Sequence, residues 1–167
     1  MKVNRIVLVS LAVALSVLSA ASHAQATSDF KVKLDLASRC FVNIDTTTAT
    51  SQATGDVTLS YDAFQTADED GSTSFNVRCT DDLSYDVSVD SDTGTIAGIN
   101  YFLKLAAGAI AQHASASAAG NVELTAREGT GLDQQYTIGV RAPAGQAGQC
   151  AGATCNGEIT HTITVSY

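Results

Sequence analysis

Four cysteines carry the most definite chemistry in this 167-residue chain: Cys40, Cys79, Cys150 and Cys155. Such a set suits either disulfide formation or zinc coordination. Zinc is disfavoured because the chain has no CxxC pair and no histidine at a suitable spacing. Four cysteines allow three disulfide pairings. Cys150 and Cys155 share the short segment QCAGATC and can pair locally, so we expect Cys150–Cys155 and Cys40–Cys79.

The other residues that could do chemistry form no recognisable constellation. His161 alternates with apolar residues near the C-terminus, which favours a partly buried, hydrogen-bonded histidine, and His113 lies in an Ala/Ser-rich stretch typical of a loop. Residues 68–71, DEDG, resemble a fragment of a calcium loop, but the twelve-residue pattern is missing, so we expect an acidic turn. GxSxG and HExxH are absent. We therefore predict neither an enzyme nor a metal or cofactor site.

The N-terminus predicts export. Lys2 and Arg5 precede an apolar run over residues 6–18, and small residues follow it, which is the pattern of a signal peptide. The run is too short to span a bilayer. Cleavage is expected after Ala24, with Ala26 as the alternative. An exported chain meets an oxidising compartment, which favours the disulfides.

Charge and length limit the partners and the number of domains of the mature protein. Removal of the two basic residues of the signal changes the formal net charge from −8 to −10. An acidic surface argues against nucleic acid and anionic membranes as partners. The remaining 143 residues are the length of one domain.

The elements that must position these residues read as short strands. Residues 28–40 alternate without a break, with Phe30, Val32, Leu34 and Leu36 on one face and charged residues on the other. Similar alternation marks residues 41–44, 56–61, 74–79, 83–89, 100–105, 121–127, 136–140 and 159–167. Turn-rich segments, including residues 65–72 and 91–98, separate them. This pattern predicts an all-β antiparallel sandwich.

The order of these segments resembles a known family. A leading strand reaches Cys40 (FKVKLDLASRCFV), a second reaches Cys79 and continues into a tyrosine strand (FNVRCTDDLSYDVSVDSDTG), and YFLKL and a final ITHTITVSY follow. This order is similar to the spore coat protein U domain family, which includes the pilin subunits of archaic, Csu-type chaperone–usher pili. The Cys150/Cys155 pair and the Ala/Ser-rich residues 106–120 have no counterpart in the resemblance.

The resemblance implies an incomplete immunoglobulin-like sandwich that a donor strand from another subunit completes. It implies a signal peptide over residues 1–24, a donor strand over residues 25–37 and a pilin domain over residues 38–167. The donor side chains would be Phe30, Val32, Leu34 and Leu36, and the acceptor edge would hold Ile159, Ile163, Val165 and Tyr167.

The resemblance also implies partners and a location. These are neighbouring copies in a fibre, a periplasmic chaperone, an outer-membrane usher and a tip adhesin, on a route through the periplasm to the cell surface. The implied function is a pilus subunit serving adhesion and biofilm formation. The alternative is a secreted monomeric coat or binding protein of the same fold that uses its own leading strand.

Overall fold

The computed structural model describes residues 28–108 and 122–167. The predicted signal peptide, residues 25–27 of the predicted donor strand, and residues 109–121 with His113 lie outside the described residues. Across the two described ranges all regular elements are strands, and no helix there could cross a membrane. The strands are β1 Cys40–Val42, β2 Glu69–Cys79, β3 Ser84–Val89, β4 Thr93–Ile96, β5 Ile99–Ala107, β6 Glu123–Glu128, β7 Gln134–Ala142 and β8 Ile163–Ser166.

The strands form two antiparallel sheets. One has the order β1-β2-β7-β5-β4, and the other has the order β6-β3-β8. The expected all-β antiparallel sandwich is therefore confirmed, and it has the form of an incomplete immunoglobulin-like fold: in the described part of the chain, β8 pairs with β3 alone and forms an edge.

The alternation of side chains along each strand explains which residues form the core. In β2, Phe75, Val77 and Cys79 are buried, while the residues between them are only half-buried. Strands β3, β5 and β7 send further side chains inward, because alternate residues of a strand face the same side. These are Tyr85, Val87, Val89, Tyr101, Leu103, Leu105, Tyr136, Ile138, Val140 and Ala142.

The two ends of the sandwich are distinct. Glu69 of β2 is paired with Ala142 of β7, and these residues mark what we call the crown end. Cys79 and Gln134, at the opposite ends of the same strands, mark the base end. β3 leaves the base end after a tight turn, and Val89 pairs with Ile163, so β8 runs from the crown end towards the base end.

Two predicted turns proved to be partly strand. β2 begins at Glu69 and so includes half of the predicted acidic turn over residues 65–72. The reason is a cross-strand partner: Asp70 lies opposite Arg141, whose Nε is 2.6 Å from Asp70 Oδ1. Likewise β4 occupies Thr93–Ile96 within the predicted turn over residues 91–98.

Several predicted strands are shorter than expected or unformed. β8 covers Ile163–Ser166 of the predicted residues 159–167, and no strand is assigned to residues 28–39 or 56–61. Alternation records which side chains face the core, but a strand also needs a neighbouring backbone for its ladder of hydrogen bonds. The structure assigns no such ladder to residues 28–39 or 56–61.

Candidate functional site

The segment before β1 exposes its apolar side chains. Phe30, Val32, Leu34 and Leu36 are 86%, 82%, 86% and 77% exposed, respectively. Residues 28–39 have no regular secondary structure and are exposed throughout. Four large apolar side chains on one face of a segment without a strand partner are a surface that favours burial against another apolar surface.

The C-terminal end of this segment, at Arg39, is fixed at the base end, and we call it the root of the segment. The Arg39 N–H donates to Thr80 Oγ1 at 2.9 Å, and the Thr80 N–H donates to the Arg39 carbonyl at 2.9 Å. The next residue, Cys40, lies directly opposite Cys79 in the ladder, and the two form a disulfide. The segment therefore leaves the domain from a defined position beside the C-terminal end of β2.

Half-buried apolar side chains mark the line along which the two sheets meet, which we call the seam. β1 and β8 are edge strands that contact each other. Val42 of β1 and Ile163 and Val165 of β8 are only half-buried, although all three pack against the core. Apolar side chains that pack against the core therefore remain only half-buried along both edge strands.

Residues 55–61 extend the seam towards the crown end. Val57, Leu59 and Tyr61 are half-buried and pack against the core, whereas Thr58 and Ser60 are exposed. A Cβ on Gly71 of β2 would overlap the side chains of Val57 and Leu59, so glycine permits their close approach. The segment thus lies beside β2 with strand-like alternation, while the structure assigns it no ladder.

A polar network lies at the crown end, beyond Tyr61. The Tyr61 hydroxyl donates to the Pro143 carbonyl at 2.7 Å and accepts from the Gln146 N–H at 3.0 Å. The Gln146 side chain in turn bonds the Asn100 N–H through its oxygen and the Asn100 carbonyl through its nitrogen. These bonds hold the loop after β7 to the start of β5.

His161 fixes the segment that leads into β8 through hydrogen bonds at both ring nitrogens. Its Nδ1 is 2.9 Å from Asp90 Oδ1, and its Nε2 is 2.8 Å from the Tyr101 hydroxyl. When the Asp90 carboxylate accepts a hydrogen bond from Nδ1–H, Nε2 of this tautomer accepts a hydrogen bond from the Tyr101 hydroxyl. The hydrogen bond from His161 lowers the pKa of Asp90, and burial raises the pKa of Tyr101. The expectation of a half-buried, satisfied histidine is confirmed.

A second polar cluster lies in the core and was not predicted. The hydroxyls of Tyr85 and Tyr136 are 2.7 Å apart, and the Tyr85 hydroxyl also donates to Gln134 Oε1 at 2.6 Å. Burial raises the pKa of Tyr85. Arg127 Nε lies 3.4 Å from the Tyr136 hydroxyl. The cluster joins the two sheets through β3 and β7, and its only sequence signal is that both tyrosines fall on inward-facing positions.

The predicted acceptor residues divide into two groups. Ile163 and Val165 face the core from β8 and line the seam. Ile159 and Tyr167 lie outside β8 and are 45% and 63% exposed. All four follow the same parity, and the outer two have no strand partner in the described structure.

Both predicted disulfides are confirmed. Cys40 is bonded to Cys79 and Cys150 to Cys155. The second bridge closes an exposed loop between β7 and β8. In the described ranges, His, Cys, Asp and Glu side chains form no group of three or more that could hold a metal ion.

Comparison with protein-family models, with curated proteins and with solved structures finds no match to this chain.

Proposed function

We propose that this chain is a structural subunit of a bacterial surface pilus, assembled by the chaperone–usher pathway through donor-strand exchange. One observation carries the proposal: the same chain has an exposed apolar segment before β1 and a half-buried apolar seam along the free edge of β8. Each is the complement of the other. In a fibre, residues 25–37 of one copy fill the seam of the next, and the fibre serves adhesion and biofilm formation.

The spacing of the two surfaces supports a specific register. An added strand antiparallel to β8 continues the antiparallel pairing of the small sheet. Phe30 to Leu36 spans about 20 Å in strand conformation, as does His161 to Tyr167. Matching inward-facing positions gives four proposed pairs: Leu36–His161, Leu34–Ile163, Val32–Val165 and Phe30–Tyr167.

Burial supplies the driving force. Removing the four side chains Phe30, Val32, Leu34 and Leu36 from water is worth about 6–12 kcal/mol before the entropy of ordering the segment is subtracted. An unfilled seam exposes core residues and backbone edges, which favours aggregation. A periplasmic chaperone that fills the seam and an outer-membrane usher that exchanges it for the next subunit meet this need, and a tip adhesin would terminate the fibre.

The fixed root of the segment favours exchange between copies over self-insertion. Arg39 is held at the base end by Thr80. A strand antiparallel to β8 has its C-terminal end at the crown end, because β8 runs from crown to base. A self-inserted segment would end at the base and would have to run parallel to β8. This argues against the alternative of a monomeric coat or binding protein that uses its own leading strand.

The test compares two substitutions on opposite faces of the segment in the native host. Leu34→Asp puts an unpaired charge into the proposed buried face, which is strongly unfavourable. We expect chaperone-bound subunit to accumulate while fibres disappear. Lys33→Asp, on the opposite face, should still give fibres. Failure of Leu34→Asp to fold even with the chaperone would contradict the proposal, because the segment would then belong to its own domain.

A further inference from the structure

Two exposed apolar side chains lie at opposite ends of the sandwich. Phe64 is 70% exposed at the crown end, where its N–H donates to the Gln146 carbonyl at 2.8 Å. Leu132 is 69% exposed at the base end, where the neighbouring Gly131 N–H donates to the Cys79 carbonyl at 3.1 Å. The nine residues of β7 separate the two turns by about 30 Å. The seam uses neither residue.

Phe64 also has a backbone conformation that is unfavourable for its side chain. Its φ is 62°, in the left-handed region, where glycine and asparagine are the common residues. A bulky aromatic is thus held in a strained turn with most of its surface in water. Strain at an exposed side chain points to a role that folding alone does not explain.

The root of the donor segment brings the base end of one copy to the crown end of the next. In the proposed register Leu36 lies opposite His161, near the crown end of the acceptor. Cys40, at the base end of the donor's own domain, follows four residues later, so the two positions are at most about 14 Å apart. The short connection from Leu36 to Cys40 therefore places the Leu132 turn of one copy close to the Phe64 turn of its neighbour.

We propose that Phe64 of one copy and Leu132 of the next pack against each other as a second, head-to-tail contact between consecutive subunits. This inference rests on the proposed fibre. The contact is heterologous, so each copy offers both halves and the contact repeats along the fibre. Phe64 and Leu132 are both apolar and mostly exposed, so burial of the two side chains against each other carries the attraction.

Cysteine cross-linking in isolated fibres tests the pairing and its direction. The described residues include no free cysteine that would compete. Fibres carrying both Phe64→Cys and Leu132→Cys, treated with a short thiol cross-linker, should give a ladder of linked subunits on denaturing gels. Each single variant should stay monomeric. As a matched control, Thr46→Cys, exposed on the loop after β1, replaces Phe64→Cys and should give no ladder with Leu132→Cys.

The possible outcomes distinguish a failure of the proposed contact from a failure of the proposed fibre. Dimers from Leu132→Cys alone would mean that like ends meet, which overturns the head-to-tail contact and the antiparallel donor direction. Intact fibres without a ladder overturn this inference and leave the proposed function standing. Absence of fibres from the unmodified chain overturns the proposed function itself.

A second measurement applies if the double cysteine variant yields no fibres. Phe64→Ser, Leu132→Ser and the double variant are compared by fibre stiffness in electron micrographs. Each single change should reduce stiffness, and the double change should reduce it no further than either single change, because both remove the same contact. Additive losses, or no loss, would overturn the inference.

Discussion

The Tyr101 hydroxyl lies 2.8 Å from His161 Nε2, so β5 of the large sheet is hydrogen-bonded to the segment that leads into β8 of the small sheet. Tyr101 also lies opposite Gly94 in the β4–β5 ladder. A Cβ on Gly94 would overlap the Tyr101 hydroxyl, so the tyrosine occupies the space that a side chain would need. Gly94, Tyr101 and His161 therefore act as one unit at the crown end.

Gly94→Ala should displace the Tyr101 ring and break its bond to His161. We expect a loss of about 1–3 kcal/mol in the free energy of unfolding, as for overpacking in a close-packed site. The control is Gly152→Ala, whose Cβ would meet the Thr154 carbonyl at an ordinary 3.6 Å and should be neutral. Urea unfolding of the purified protein measures the free energy of unfolding of both variants. Equal stability of the two variants would show that Tyr101 yields without strain.

Asp90 should make stability depend on pH in the acid range. Its pKa is lowered from the ordinary value of 3.8, chiefly by the hydrogen bond from His161. A carboxylate with a lowered pKa stabilises the folded state above its unfolded pKa and loses that contribution as pH falls through the folded pKa. Asp90→Asn should therefore be less stable than the wild type at pH 7, and the difference should shrink as the pH falls below the ordinary value of 3.8 and disappear below the lowered pKa of the folded state.

The partner residue provides the control for this pH dependence. His161→Phe removes the main hydrogen bond that lowers the pKa of Asp90. In that background, Asp90→Asn should have a much smaller effect at pH 7 than in the wild type. Equal effects in both backgrounds would mean that other groups stabilise the carboxylate.

The two disulfides should differ in their importance. Cys40 and Cys79 are 39 residues apart, whereas Cys150 and Cys155 are 5 apart. On the chain-entropy model the long loop is worth about 4 kcal/mol and the short one about 2 kcal/mol. Cys79→Ser should reduce periplasmic yield far more than Cys155→Ser. Similar yields would indicate that the long bridge forms only after folding is complete.

Joining the proposed donor to its own seam should give a stable monomer. Residues 25–37 are moved to follow Tyr167 through a short glycine-containing turn, so that the copy runs antiparallel to β8. Linking makes insertion intramolecular and nearly complete. We expect no polymerisation, and a Tm at least about 10 °C above that of the chaperone-released wild type. Light scattering and thermal unfolding measure these two properties.

The matched control for this rearranged chain carries Asp at the Phe30 and Leu34 equivalents. It keeps the length and the turn but cannot bury its inward face. If both chains melt at the same temperature, or if the rearranged chain aggregates, the seam does not accept this segment.

The sequence predicts the core well because strand parity is a local property. Phe75, Val77 and Cys79 alternate in the chain and are buried in the structure. Parity also places Val57, Leu59 and Tyr61 on the inward face, where they are half-buried. It cannot say whether another backbone lies close enough to form a ladder, so it overpredicts strands at residues 28–39 and 56–61.

Contacts between distant segments escape prediction for the same reason. Tyr61 and Gln146 are 85 residues apart, and Tyr85 and Tyr136 are 51 apart, yet each pair is hydrogen-bonded. Nothing local marks these side chains as partners. The disulfides are an exception, because four cysteines leave few pairings to choose from.

The disulfide between Cys40 and Cys79 determines how the domain bears mechanical load. In the proposed fibre, a neighbour that holds Leu36 and is pulled along the fibre axis transmits tension to Cys40. β1 has three residues and by itself would peel from β2 one hydrogen bond at a time. The covalent bridge passes the tension directly to the end of β2, an eleven-residue strand bonded along most of its length to β7. In the proposed fibre, force would then shear many hydrogen bonds together, so the bridge strengthens the point where the predicted donor segment joins the domain.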